Sequence, residues 1–173
     1  MKSGIRIRPE TDADAPAIEE VTIAAFELLP ISSHTEQFIV RALRSAGALA
    51  LSLVAVLDDQ VVGHIAFSPV SISDGTLDWY GLGPVSVLPH LQRQGIGTAL
   101  IREGLARLRE RGAKGCCLVG HPAYYPRFGF DHLPGLWVDG VPAEAFFALS
   151  FDGHTPRGRV TFHRAFDAVE HPS

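Results

Sequence analysis

From Val85 to Leu100 the chain reads VSVLPHLQRQGIGTAL: an apolar strand, a polar turn with two glycines, and an amphipathic helix in direct succession. The chemistry such a junction offers belongs to its backbone. The first N–H groups of a helix have no partner inside it, and the aligned peptide dipoles leave that end partly positive. Gly95 and Gly97 carry no side chain that would hold a diphosphate away from those amides. Thr98 adds a hydroxyl donor and Arg93 a formal charge. The expected anion site is therefore Gln92, Arg93, Gln94, Gly95, Ile96, Gly97 and Thr98. Glycine pairs at such turns also serve as packing punctuation, so the surrounding pattern decides. Position 100 is Leu, which removes the third glycine of the dinucleotide fingerprint, and no Gly-Lys-Ser/Thr follows, so the P-loop pattern also fails.

What remains, an apolar strand, Pro89, Gln92-x-x-Gly95-x-Gly97 and a helix, resembles the acyl-CoA motif of the GNAT family of N-acetyltransferases, written Gln/Arg-x-x-Gly-x-Gly/Ala. A second segment, Tyr125-Pro126-Arg127-Phe128-Gly129-Phe130, is similar to that family's Tyr-x-x-x-Gly-Phe signature. Val61-Val62-Gly63-His64-Ile65, Ser68-Pro69-Val70, Gly81-Leu82-Gly83-Pro84-Val85 and the run from Gly120 to Phe130 resemble a bacterial subgroup of the family, so the resemblance covers residues 5 to 166. It implies acetyl-CoA as cosubstrate, no metal, and direct attack of a primary amine on the thioester. It also implies that Val85, Ser86 and Val87 offer backbone to the pantetheine amides, and that the strands at Val85–Val87 and Cys116–Val119 diverge to admit that arm. Tyr125 stands at the position of the general acid, with Tyr124 as the neighbouring alternative. A phenol of pKa about 10 is protonated where a thiol near 8.5 is leaving, so it can donate to the sulfur. One departure stands out. Many members place an Asn before an Ala just upstream, and here the segment is Gly120-His121-Pro122-Ala123, which puts that cofactor contact in doubt.

The amine must also lose a proton. Glu27, His34 and Glu36 around the first helices, and His64, Tyr80 and His121 near the sheet, are the candidate bases, and a water chain serves equally well. His64 lies in an apolar strand, where a hydrogen-bonded core histidine is the plainer reading. The acceptor pocket is expected between the loop Pro30–His34 and the segment Leu133–Phe147, with Trp137, Phe146 and Phe147 either lining it or filling the core.

Composition narrows the partners. The chain has 173 residues, 46% apolar and 20% charged, enough for one soluble domain spanning 1–173. A net charge of −4 argues against a nucleic-acid binder built on phosphate contacts. The start, MKSGIRIRPETDADAP, has no apolar signal region, and the longest apolar run, Gly47 to Leu57, is too short to span a bilayer. Cys116 and Cys117 are adjacent and point to opposite faces of a strand, so no disulfide is expected, and no Cys/His spacing suits zinc. A cytoplasmic location follows as the default, and a homodimer is compatible with all of this.

The elements needed to position these groups follow from periodicity. Strand patterns cover Ile5–Arg8, ended by Pro9, then Leu51–Leu57, Val61–Ile72, Leu77–Val87, Ala113–Val119 and Val160–Phe166. Helices are expected from Thr11 or Asp12 to Leu29 with Ile18, Val21, Ala25 and Leu28 inward, from His34 to Ala46 with Phe38, Ala42 and Leu43 inward, and from Ile96 to Arg111. Gly81, Gly83 and Pro84 point to a bulge. Pro122–Arg127 reads as a short helical turn, and Ala143–Leu149 is ambiguous between helix and strand. The order gives an α/β mixed sheet, mostly antiparallel with one parallel pair and helices on both faces; it matches the GNAT layout, and the resemblance implies that the parallel pair is splayed. Two other functions remain open. The same fold could be a catalytically silent acyl-CoA sensor or interaction module. An unrelated phosphate-ligand enzyme would need a metal-binding carboxylate near Gly95, where no acidic residue precedes Glu103.

Overall fold

The computed structural model describes residues 4–30 and 32–169; Met1–Ser3, Ile31 and the last four residues, with whatever the sequence suggested there, lie outside the described residues. Six strands form the main sheet: β1 (Arg6–Pro9), β2 (Leu51–Leu57), β3 (Gln60–Pro69), β5 (Trp79–Val87), β6 (Gly115–Val119) and β8 (Phe146–Ser150), in the order β1-β2-β3-β5-β6-β8. All neighbours are antiparallel except β5 and β6. A second, three-stranded sheet holds β4 (Ser71–Ile72), β9 (Gly158–Thr161) and β7 (Leu136–Trp137), ordered β4-β9-β7.

The helices α1 (Ala15–Phe26), α2 (Glu36–Ser45) and α3 (Ile96–Glu110) divide between the two faces of the main sheet. Period-two alternation along β2 explains the division. Leu51, Leu53 and Ala55 pack with Leu100, Ile101, Leu105 and Leu108 of α3, whereas Val54 and Val56 pack with Ile18 of α1 and Val40 of α2. Leu53, Leu100, Leu108 and Phe67 are all but fully buried. Each such side chain contributes roughly 1.5–3 kcal/mol of apolar transfer.

Several expected boundaries move, each for a local reason. Pro9 belongs to β1, opposite Leu53, because β1 is an edge strand and its missing N–H disturbs no ladder there. The first helix stops at Phe26 rather than Leu29, since the residue before Pro30 is disfavoured in the helical region, and Leu28 is 84% exposed instead of inward. In α2 the buried stripe is Ile39, Val40 and Leu43, while Phe38 lies partly exposed beneath the Arg41 guanidinium. The strand expected to run from Val61 to Ile72 breaks after Pro69, and β4 crosses to the second sheet, where it pairs with β9. Ala143–Leu149 splits into a 3-10 turn at Ala143–Ala145 and β8, which pairs with β6. The last strand is β9, followed by a 3-10 turn at Arg164–Asp167 that is capped by the His163 ring accepting from the Ala165 N–H at 3.0 Å. The bulge expected near Gly83 appears as a register shift opposite Ile65–Phe67.

A polar cluster lies under α1 and α2. Arg44 donates twice to Glu10 at 3.1 Å, the Ser52 hydroxyl meets Glu10, and the His64 Nε2 lies 2.8 Å from Ser52 Oγ. His64 is fully buried, and among the described residues its Nδ1 has no partner, so the ring is only half satisfied. Burial pushes the His64 ring down from its ordinary value, although Glu10 at 3.8 Å pulls the other way. Burial alone would raise the Glu10 carboxyl, but His64, Arg44 and Ser52 hold it at about 2. Both shifts make the fold acid-sensitive. An unfolded histidine takes up its proton near pH 6.5 while the folded one resists, so His64's share of stability is complete above that pH and lost below it. Glu10's share is lost as pH falls from about 4.5 toward 2. Thermal scans should show the melting temperature falling between pH 7 and 5, with a flatter profile for His64→Gln. An equal slope in the variant would remove His64 as the cause.

Candidate functional site

The parallel pairing of β5 with β6 ends early. Trp79, Tyr80 and Gly81 pair with Gly115, Cys116 and Cys117, and the register stops there. Beyond it β5 continues from Leu82 to Val87 beside β3 alone. The strands expected to part therefore do part. The free edge of β5 has a definite content. Leu88 N–H bonds to Val62 C=O, so alternation along an antiparallel ladder turns Ser86 toward β3 and the Val85 and Val87 backbone groups toward the gap. The Val87 carbonyl accepts from the Gln92 side-chain amide at 3.0 Å, which leaves the Val87 N–H and both Val85 groups facing the opening. The Ser86 side chain is buried on the opposite face, 3.4 Å from the Thr22 hydroxyl, so Ser86 has no side chain in the gap.

Below the gap a groove of about 620 Å3 runs to the start of α3. Its lining includes Val85, Val87, Gln92, Arg93, Gly95, Ile96, Gly97 and Thr98. Gly95 is the N-cap, with φ of 87°, a conformation open to glycine at little cost, and no side chain caps the helix. The first helical bond beyond it joins Ala99 N–H to Gly95 C=O, so the amides of Ile96, Gly97 and Thr98 precede the ladder. The Ile96 side chain is buried in the core, so only its backbone faces the groove. The Gln94 side chain donates to His90 C=O at 3.3 Å, and Gln94 does not line the groove. Six of the seven turn residues, together with Val85 and Val87, thus meet in one place.

The two tyrosines separate. Tyr124 lines the groove, with its hydroxyl 3.0 Å from Thr98 Oγ1 and its ring beneath the Arg127 guanidinium at 4.4 Å. Tyr125 instead faces a cavity of about 330 Å3 on the other side of Val85. It sits among Phe128, Phe130 and Phe147 with ring centroids 6.0–6.4 Å away. A side chain at Gly120 would overlap the Tyr125 ring, with a Cβ only 2.3 Å from Cε2, so Gly120 is what lets the ring lie there. Burial, with a smaller contribution from Tyr124, pushes the phenol up to about 12, and it stays protonated at neutral pH.

The segment Leu133–Phe147, expected to wall the acceptor pocket, does not line the cavity beside Tyr125. That cavity is walled by Phe26, Glu36, Ile39, Pro84, Val119 and the C-terminal Phe162 and Phe166. Trp137 is half exposed in the second sheet, and Phe146 and Phe147 fill the core. Among the candidate bases, Glu36 alone lines this cavity. Glu27 is exposed at the end of α1, His34 is exposed, His121 accepts from Ala123 N–H in an exposed turn, Tyr80 packs against the α3 core, and His64 is sealed under α1. Arg127, Phe162 and Phe166 were missed. Arg127 stood inside the quoted aromatic motif, whereas no periodicity signals the two phenylalanines, because their segment folds against α2 only in three dimensions. Cys116 and Cys117 are free and fully buried. Among the described residues no helix is long and apolar enough to cross a membrane.

Residues 6–133 match the family model described as "Acetyltransferase (GNAT) domain". The uncharacterized N-acetyltransferase YhbS of Escherichia coli K12 is 40% identical over 168 residues, covering 93% of this chain and 98% of that protein. A GNAT family acetyltransferase from Brucella melitensis, solved in complex with acetyl-CoA, is 52% identical with a TM-score of 0.85, covering 94% of this chain and 98% of the other. The YhbS crystal structure, in complex with CoA, superposes with a TM-score of 0.86 and 34% identity over 98% of this chain and 96% of the other.

Proposed function

The chain belongs to the GNAT family of N-acetyltransferases, and from that premise we propose that it moves an acetyl group from acetyl-CoA to a primary amine by direct attack within a ternary complex. The observation that carries the proposal is that Val85, on the free edge of β5, lines both the groove at the start of α3 and the cavity beside Tyr125. In this reading the diphosphate rests on the amides of Ile96, Gly97 and Thr98, with Arg93 and Arg127 at the groove supplying charge. The pantetheine arm pairs with the free edge of β5 as an added strand would, and the thioester arrives between Val85 and Tyr125. The Brucella melitensis relative solved with acetyl-CoA and YhbS solved with CoA support acetyl-CoA as the cosubstrate.

The chemistry then needs alignment, oxyanion stabilisation and care of two protons. The amine nitrogen attacks the thioester carbon, a C–N bond forms, and the C–S bond breaks with its electron pair leaving on sulfur. The Val85 N–H or Val87 N–H polarises the carbonyl. Glu36 receives the amine proton, directly or through a water. Tyr125 donates a hydrogen bond to the departing thiolate. With the phenol near 12 and a thiol near 8.5, complete proton transfer from Tyr125 runs uphill, so the thiolate acquires its proton from solvent.

Calorimetry with acetyl-CoA, followed by thiol release on an amine panel, tests this. The expected result is one binding site per chain and amine-dependent release. Failure to bind acetyl-CoA would falsify the proposal, and binding without release from any amine would favour the silent sensor.

A further inference from the structure

The chemistry of the cavity beside Tyr125 narrows the acceptor. We propose that the acceptor is a small primary amine carried on an uncharged apolar body, either a single aromatic ring or a branched alkyl chain. This inference rests on the acetyl-transfer reading above and names the substrate of the same site. Three observations carry it.

Size comes first. The cavity measures about 330 Å3. An apolar protein cavity of about 150 Å3 holds a benzene molecule. Space therefore exists for the transferred acetyl group and one ring-sized body together. Wall chemistry comes second. Phe26, Ile39, Pro84, Phe162 and Phe166 make an apolar surround, and Phe162 and Phe166 lie together with ring centroids 5.4 Å apart. Charge comes third. Glu36 is the one charged side chain on the lining among the described residues, and the Ser32 hydroxyl donates to its Oε1. A single carboxylate in such walls suits one ammonium, and the faces of nearby aromatic rings favour the same charge. A second ammonium or a carboxylate on the acceptor would lose water against Phe and Ile with no partner in return. The walls also come from outside the matched acetyltransferase domain: Phe162 and Phe166 follow residue 133. The C-terminal segment, packed on α2 through Ala165, thus sets acceptor choice on a shared transfer site.

The test compares initial rates of thiol release from acetyl-CoA with 2-phenylethylamine, 3-methylbutylamine, spermidine, glutamate and a tripeptide with a free N-terminus. The expected kcat/KM for the first two exceeds that for the other three by about tenfold or more, the scale of discrimination that apolar pockets reach. Phe166→Ala should raise KM for 2-phenylethylamine several-fold while the calorimetric Kd for acetyl-CoA stays unchanged. Phe26→Ala, on a different element, gives the same readout if the C-terminal variant does not fold. Equal or faster turnover of spermidine, glutamate or the tripeptide overturns the inference. So does binding of acetyl-CoA with no release from either apolar amine. Loss of acetyl-CoA binding in the wild-type protein is a separate readout, and it strikes the acetyl-transfer reading itself.

Discussion

Tyr125→Phe lowers kcat for acetyl transfer by about 100-fold and leaves the Kd for acetyl-CoA within about twofold of wild type. The phenylalanine keeps the ring, and the ring is what packs against Phe128, Phe130 and Phe147, so the fold should be undisturbed. Only the hydroxyl is removed, from a residue that lines the cavity proposed to receive the thioester. The interaction it makes strengthens as charge gathers on sulfur, so the loss falls on the transition state rather than on binding. Tyr124→Phe is the informative companion. Tyr124 reaches Thr98 at the groove, so its variant should alter cofactor affinity modestly and spare kcat. Steady-state kinetics with calorimetry on both variants check the pair. The reverse pattern would move the sulfur contact to Tyr124.

Gly97→Asp should reduce acetyl-CoA affinity by about 100-fold or more with no loss of thermal stability. A Cβ at Gly97 is accommodated without overlap, in ordinary van der Waals contact with Tyr124 Oη at 3.8 Å and Val87 Cγ2 at 3.9 Å. An acidic side chain in the first turn of a helix is favourable by about 0.3–1 kcal/mol. Glycine is also a poorer helix former than aspartate by a few tenths of a kcal/mol. The free protein should therefore melt at the same temperature or slightly higher. The same carboxylate repels a diphosphate on those amides. Two unit charges about 4 Å apart near a protein surface interact by about 4 kcal/mol. The expected loss needs only about 2.7 kcal/mol. Gly97→Ala separates bulk from charge, and its affinity should stay close to wild type. Wild-type affinity in the aspartate variant would place the diphosphate elsewhere.

Local signals made some parts of this protein readable in advance. The turn from Gln92 to Thr98 was legible because backbone geometry at a strand-to-helix junction follows from a few glycines and one Pro. The parallel relation of β5 and β6 was legible because a single helix, α3, connects them and such crossovers have one hand. The stripe of α3 was legible from its period, with Ile101, Leu105 and Leu108 all buried. By contrast, the orientation of α2 was misread at Phe38, because an aromatic ring can lie under an arginine at the surface as readily as in a core. The strand from Val61 was read too long because Ser71 and Ile72 have strand character but pair in a different sheet.

The amino-acid order alone determined the glycine turn that opens α3, the helix-connected parallel pair and the aromatic motif that holds Tyr125, since each depends on one local segment or on a single connecting helix. Only the tertiary structure decided which tyrosine faces which hollow, which of six candidate bases reaches the cavity, and that Phe162 and Phe166 wall it. Those outcomes depend on residues far apart in the chain meeting in space, such as Phe26 and Phe166, which line one cavity. Periodicity specifies which face of an element is apolar, but not which distant element will cover it.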